Sequence, residues 1–322
     1  MSIKINRREL MLTSAGAALS SLLFPGAAFA AYPTRNINWI LMWRAGGGAD
    51  TATRIFLKYA EKMLGKKVIV QNITGGGGAI GYTAAKSAKP DGYTLVTIQG
   101  DLPKFEPKAL APIKIDDFDI AAAFAFQSPV VVVRADAPWK SLEDFVKDMK
   151  DNPGKRTIGI SDIGGTYHQP TALWADAAGF KLKAVTFPGS PQQAVALLGG
   201  HVDATVTWVK PNIPYVKEGK LKFLGYMGSK RLDDYPDVPT LSEVGYDVVW
   251  EHPYGIGGPK GMPKEALVAL EETAKKVWEV PEFQAELDKL GLTVMRKGSA
   301  DYRAHMHKMQ SDMTKALKLI QG

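Results

Sequence analysis

Four times along this chain a short apolar run breaks into a glycine-bearing turn and then into residues spaced as an amphipathic helix, a grammar that leaves few folds open. Residues 37–42 run into Trp43-Arg44-Ala45-Gly46-Gly47-Gly48-Ala49-Asp50, after which Ile55, Phe56, Tyr59, Met63 and Leu64 recur at helical spacing up to a stop at Gly65. Residues 68–70 lead to Gly75-Gly76-Gly77-Gly78 and a helix ending near Ala88. Residues 157–161 lead to Asp162-Ile163-Gly164-Gly165-Thr166-Tyr167-His168 and a helix through Ala178; residues 185–187 lead to Pro188-Gly189-Ser190-Pro191 and a helix closing at Gly199-Gly200. Alternation of this kind predicts open α/β sheets and argues against a sandwich or a bundle.

The turn Lys89-Pro90-Asp91-Gly92 delivers residues 93–98 as a further strand, and the unbroken valines 130–133 read as a strand buried on both faces. Past that run the same grammar starts again, which places a first crossing between two lobes there. Residues 202–206 form one more strand. After residues 246–250 the chain is expected to return and to finish in helices at 264–279, 282–290 and 300–320. The predicted division is 31–129 with 250–322 in one lobe and 130–249 in the other, two α/β lobes joined by a hinge.

Residues 1–30 stand apart. Lys4, Arg7 and Arg8, an apolar stretch over 10–24 and Ala28-Phe29-Ala30 have the layout of a cleavable export signal, and Arg7-Arg8 ahead of Leu10 is compatible with the twin-arginine route. Broken by Pro25 and Gly26, the stretch falls short of the roughly twenty apolar residues of a spanning helix. With no cysteine, disulfides, thiolate metal sites and a lipid-carrying cysteine are ruled out, so a soluble periplasmic monomer is expected. The formal charge of +7 falls to +5 without this leader, which holds three basic residues and Glu9. That excess suits an anionic ligand; with no tract of clustered Lys and Arg between aromatics, it argues against nucleic acid.

In an open sheet, strand-to-helix turns lie at the carboxyl ends of the strands, where ligands bind. Glycine lets the backbone approach closely, while the free N–H groups and positive end of the following helix attract a carboxylate or phosphate. Two such turns from each lobe would grip both ends of a small acid. Around them, Asp50 reads as the amino-terminal cap of its helix, His168 is placed to donate to a ligand oxygen or to serve as a buried structural histidine, and Asp203 is expected at the cleft or as a turn cap. Trp43, Arg44 and Trp208 stand beside the turns.

These residues resemble a family, the tripartite tricarboxylate transporter substrate receptors, also called Bug receptors. The resemblance covers the chain past residue 30. It is carried by Gly46-Gly47-Gly48-Ala49-Asp50 with Arg54, by Val68-Ile69-Val70-Gln71-Asn72 followed by 75–81, and by Ala88-Lys89-Pro90-Asp91-Gly92-Tyr93-Thr94-Leu95. Gly164 to His168, Gly199-Gly200-His201-Val202-Asp203 and Tyr235-Pro236-Asp237-Val238-Pro239-Thr240-Leu241-Ser242-Glu243-Val244-Gly245 complete it. The resemblance implies a type II periplasmic-binding fold whose hinged lobes close on an organic acid, a di- or tricarboxylate or an aromatic acid, for a permease of one large and one small subunit. It implies no cofactor. The family's use of backbone groups and bridging waters points to Gly48, Asp50, Ser161, Gly165, Thr166, His168 and Asp203, with Gly189 and Ser190 in support.

The chain departs from the family pattern ahead of Asp50: where Phe-Pro-Pro and a threonine are usual, it holds Trp43, Arg44, Ala45 and Ala49. Arg44 offers a bidentate partner for a second carboxylate, and Trp43 is expected to wall a ligand flatter than a short aliphatic diacid. Two other readings fit part of the sequence. Gly76-x-Gly78-x-x-Gly81 with Asp101 formally satisfies a dinucleotide fingerprint, which would make the chain an exported oxidoreductase. The same two lobes could also serve a periplasmic ligand sensor. No catalytic constellation and no metal site is recognisable, His305 and His307 being two apart on a helix and so facing different sides.

Overall fold

The computed structural model describes residues 32–321, so the export signal lies outside the described residues. Two five-stranded sheets carry the fold. In the first, β1 (Ile37–Leu41) lies between β2 (Val68–Asn72) and β3 (Thr94–Gln99), all parallel. There β10 (His252–Pro259) runs antiparallel between β3 and β4 (Phe118–Gln127). The second repeats the plan, with β6 (Ile158–Ile160) between parallel β7 (Ala184–Thr186) and β8 (Ala204–Trp208). Its antiparallel strand is β5 (Pro129–Arg134), set between β8 and β9 (Leu221–Tyr226). Each antiparallel strand has come from the other sheet, β4 leading through Ser128 into β5 and the chain after β9 returning into β10. The strands foreseen from the turns all form, with ends shifted by at most two residues.

The valine run is buried on both sides because alternate residues of a strand face opposite ways. Val131 and Val133 enter one core layer with Trp139, Phe145 and Trp174, while Val130 and Val132 enter another with Leu197 and Phe223. The first sheet is likewise covered twice, by a layer holding Trp39, Phe56, Phe124 and Phe283 and by one holding Tyr82, Phe105, Phe118 and Tyr302.

Strands β4, β9 and β10 are not marked by the turn grammar. Strand β10 reads His-Pro-Tyr-Gly-Ile-Gly-Gly-Pro, a composition that argues against a central strand, yet every residue of it is buried. Its glycines make room for neighbours, since a Cβ on Gly255 would collide with the Tyr302 ring and the Ala122 carbonyl of β4. Packing, which local composition does not report, selects the strand.

The final helix corrects the predicted division. Helix α9 (Ser299–Gln321) buries one stripe, Tyr302, Met306, Met309, Met313 and Ala316, at alternating steps of four and three. Tyr302 and Met306 lie in the core of the first lobe, but Met309, Met313 and Ala316 lie in that of the second, with Leu173 and Trp174. A helix of 23 residues is about 34 Å long, enough to cross the junction and pack on both. The chain therefore crosses a third time, inside a helix, where no turn signals it.

Candidate functional site

A cavity of about 640 Å³ opens between the lobes, lined from both by the loops that follow the parallel strands. On the first lobe the loop after β1 runs into α1 (Gly48–Leu64), whose first residues line the cavity. The first backbone bond of this helix is Thr51 N–H to the Gly47 carbonyl. Among the described residues the N–H groups of Gly48, Ala49 and Asp50 have no backbone acceptor. Three donors are thus left open at the positive end of a 17-residue helix.

Asp50 holds this mouth in shape from behind. It is not the amino-terminal cap expected from sequence, because Gly47 takes that position and Asp50 falls on the third helical residue. From there its carboxylate, 3% exposed, accepts from Gly46 N–H at 3.0 Å, Arg54 Nε at 2.9 Å and Asn72 Nδ2 at 2.9 Å. Asn72 Nδ2 also donates to the Trp43 carbonyl at 2.8 Å, so Asp50 and Asn72 together fix both ends of the loop. Burial opposes the charge on Asp50, but these hydrogen bonds and the Arg54 guanidinium outweigh it and hold the carboxyl below its ordinary value.

On the second lobe Ser161, Asp162, Thr166 and Tyr167 bring the loop after β6 to the cavity, and Gly189 brings the loop after β7. Ser161 Oγ donates to Asp162 at 2.8 Å. A Cβ on Gly165 would meet the Asp162 carboxylate, so a larger residue there requires the exposed Asp162 side chain to swing away. His168 is the first residue of α4 (His168–Ala178) and is buried; its Nδ1 accepts from Gly164 N–H at 3.0 Å. Burial pushes its pKa down, which suits the neutral ring that such an acceptor requires. Ser190, buried at the start of α5 (Ser190–Leu198), joins Tyr167 Oη and Thr207 Oγ1 at 2.7 Å each, tying two helix starts to β8.

Of the residues singled out in the sequence, Trp43, Arg44, Gly48, Ala49, Ser161, Thr166, Gly189 and Trp208 line the cavity. Asp50, Gly165, His168 and Ser190 stand behind its walls and shape them. Asp203 is placed elsewhere, at the opposite end of its sheet. Its carboxylate accepts from Thr157 N–H at 2.8 Å and Thr157 Oγ1 at 2.9 Å, joining the starts of β6 and β8. Parallel strands put their amino ends away from the ligand edge, so the turn-cap role wins over the cleft role. The run Gly75–Gly78, all at positive φ, turns the chain into α2 (Ala79–Lys86), and none of it lines the cavity.

The sequence did not single out the floor of the cavity as ligand-facing. Gln99 and Asp101 come from the end of β3, Gln127 from the end of β4, and His252 and Tyr254 from the start of β10. Asp101 did carry a signal, as the acid of the dinucleotide fingerprint, but for a different chemistry. Lys210 enters from the turn after β8. Lys210 and Arg44 are both exposed, and neither makes an ion pair within 4.0 Å among the described residues.

Residues 53–322 match the family model described as "Tripartite tricarboxylate transporter family receptor". A Cupriavidus necator protein described as "UPF0065 protein in gbd 5'region" is 33% identical over 298 residues, covering 90% of this chain and 89% of its own. Among solved structures, a TctC solute binding protein from Polaromonas, with no ligand, superposes with a TM-score of 0.83 at 30% identity, covering 89% of this chain and 99% of that one. An R. palustris protein solved with adipate has a TM-score of 0.73 at 21% identity, covering 90% and 98%, and shows the shared fold alone.

Proposed function

The chain belongs to the tripartite tricarboxylate transporter receptor family, a family of solute-binding receptors and not of enzymes, and on that premise we propose that it captures a small organic carboxylate in the periplasm and delivers it to a membrane permease of one large and one small subunit. The observation that carries this reading is the open mouth of α1 flanked by two cations on opposite walls, Arg44 from the first lobe and Lys210 from the second. A carboxylate seated on the Gly48 and Ala49 N–H groups gains charge-assisted hydrogen bonds and the helix dipole. Because the two cations come from different lobes, closure draws both toward one small anion. Ligand therefore favours the closed form by its differential affinity, and closure is what a permease can read. The carboxylate reported with the R. palustris protein agrees with this chemistry.

Calorimetric titration with organic acids at physiological salt tests the proposal. Arg44→Ala and Lys210→Ala are each expected to weaken the bound acid about tenfold, the loss of roughly one charge-assisted contact worth about 1.5 kcal/mol. The double variant is expected to lose about a hundredfold, and the wild-type affinity to fall as salt rises. Unchanged affinity in the double variant would remove the two-cation clamp from the mechanism.

A further inference from the structure

The floor of the cleft differs in chemistry from its rim. Four rings run across it from lobe to lobe in edge contact: Tyr167 to Trp208 at 5.0 Å, Trp208 to His252 at 5.7 Å and His252 to Tyr254 at 5.7 Å between centroids. Trp43 lines the same cavity from the loop after β1. Burial pushes the His252 pKa down, so this ring adds no charge to the floor. Such surfaces suit a flat apolar body that can meet ring edges and faces, and give little to a flexible methylene chain.

Among these rings, beside the unpartnered Gln99 Oε1 and His252 Nδ1, stand two hydrogen-bonded polar groups with unused capacity, Asp101 and Tyr254. Asp101 Oδ2 accepts from Gln99 Nε2 at 2.9 Å and lies 3.9 Å from His252 Nε2, while Lys104 Nζ stands 3.4 Å from Oδ1. Burial works against its charge, but the Lys104 ammonium and the Gln99 hydrogen bond outweigh burial and keep the carboxyl below its ordinary value. The Tyr254 hydroxyl accepts from Gln127 Nε2 at 2.7 Å, and its own proton meets no acceptor among the described residues. Burial first, and then the nearby Asp101 charge, push this phenol far up, so it stays a donor. The floor thus presents one charged acceptor and one donor on either side of the His252 ring, whose Nε2 lies 3.9 Å from Asp101 and whose centroid lies 5.7 Å from that of Tyr254.

A ligand group that donates to Asp101 and accepts from Tyr254 uses both. A hydroxyl does this with a single oxygen. A second carboxylate would accept from Tyr254 but face the Asp101 charge, and an ammonium would crowd Lys104 at the same carboxylate. A bare hydrocarbon would leave both polar groups unpaired in a desolvated site. We infer that the ligand is an aromatic carboxylate bearing a ring hydroxyl, its ring set among Trp43, Trp208 and Tyr254 and its hydroxyl between Asp101 and Tyr254, an assignment that rests on the carboxylate reading given above.

Calorimetric titration of the purified protein with benzoate, meta- and para-hydroxybenzoate, terephthalate and adipate tests this. One hydroxybenzoate is expected to bind about 30-fold more tightly than benzoate, with terephthalate and adipate weaker still. Asp101→Asn and Tyr254→Phe are expected to shrink the hydroxyl's advantage to a few-fold, read within each variant as the ratio of hydroxybenzoate to benzoate affinity. If Asp101→Asn fails to fold, Tyr254→Phe carries the comparison alone. Hydroxybenzoates no tighter than benzoate, or adipate or terephthalate tighter than both, would overturn the inference while leaving the carboxylate receptor intact. Failure of every acid to bind would overturn the receptor reading as well.

Discussion

Asp50→Ala is expected to lower stability by about 3 kcal/mol and to abolish measurable ligand binding, although Asp50 is no part of the cavity lining. The variant strips three part-buried hydrogen bonds from the nearly buried Asp50 carboxylate, those of Gly46 N–H, Arg54 Nε and Asn72 Nδ2. Gly46 N–H then loses the acceptor that fixes it and turns to solvent. Asn72 keeps the Trp43 carbonyl but loses the group that orients it. With both anchors loosened, the loop carrying Trp43, Arg44 and the open N–H groups is no longer preorganised, so ordering it is charged against ligand binding. Asp50→Asn keeps the shape and one acceptor oxygen but sets an amide donor against other donors, and should fall between the two. Urea melts at neutral pH give the stability term, and titration with the bound acid gives the functional one. A variant that melts about 3 kcal/mol lower yet binds normally would show that the loop holds itself.

The same contacts set a pH dependence. The folded state depresses the Asp50 carboxyl below its unfolded value of about 3.9, so its contribution is complete above that pH and is lost as pH falls through the lower folded value. Wild type and Asp50→Ala should therefore differ most near neutrality and converge in acid, which urea melts between neutral and acid pH would show. Asp119 and Asp148, also depressed by their partners against the opposing effect of burial, contribute to acid lability in both proteins and leave that difference unchanged.

How far the sequence could be read depended on whether a structural role had a local cause. The first glycine loop was legible because a strand end, three glycines and a helical period meet within about a dozen residues. The second-lobe loop at 161–168 was legible for the same reason. The cavity floor was not, because its polar groups come from strand ends far apart in the chain, two of them on a strand whose prolines and glycines conceal it. Asp203 misled because a glycine pair before a strand signals a turn without saying which end of the sheet the turn occupies. The rim of this site was thus written locally, and its floor was written in the topology.

The third crossing was hidden for a related reason, and it carries the other large effect: Met313→Asp is expected to cost about 4 kcal/mol and to weaken ligand binding from outside the cavity. Met313 is 4% exposed against the core that holds Leu173 and Trp174, so the variant loses a packed thioether and places a carboxylate where nothing pairs with it. Met313→Leu, which keeps volume and apolarity, should cost under about 1.5 kcal/mol. The effect reaches the ligand because the end of α9 backs the second-lobe loop. A Cβ built on Gly164 would lie 3.2 Å from Leu317 and 3.4 Å from Lys108 Nζ, leaving that loop little room while α9 is docked. Undocking the helix frees Gly164, and with it the hydrogen bond to His168 that shapes the approach to Ser161 and Thr166. Because α9 packs on both lobes, the variant should also widen the spread of lobe orientations. Small-angle scattering of ligand-free Met313→Asp would then show a larger mean dimension than wild type, alongside weaker binding by calorimetry. Normal affinity and unchanged scattering in a destabilised variant would make α9 a core helix only, with no part in holding the lobes in register.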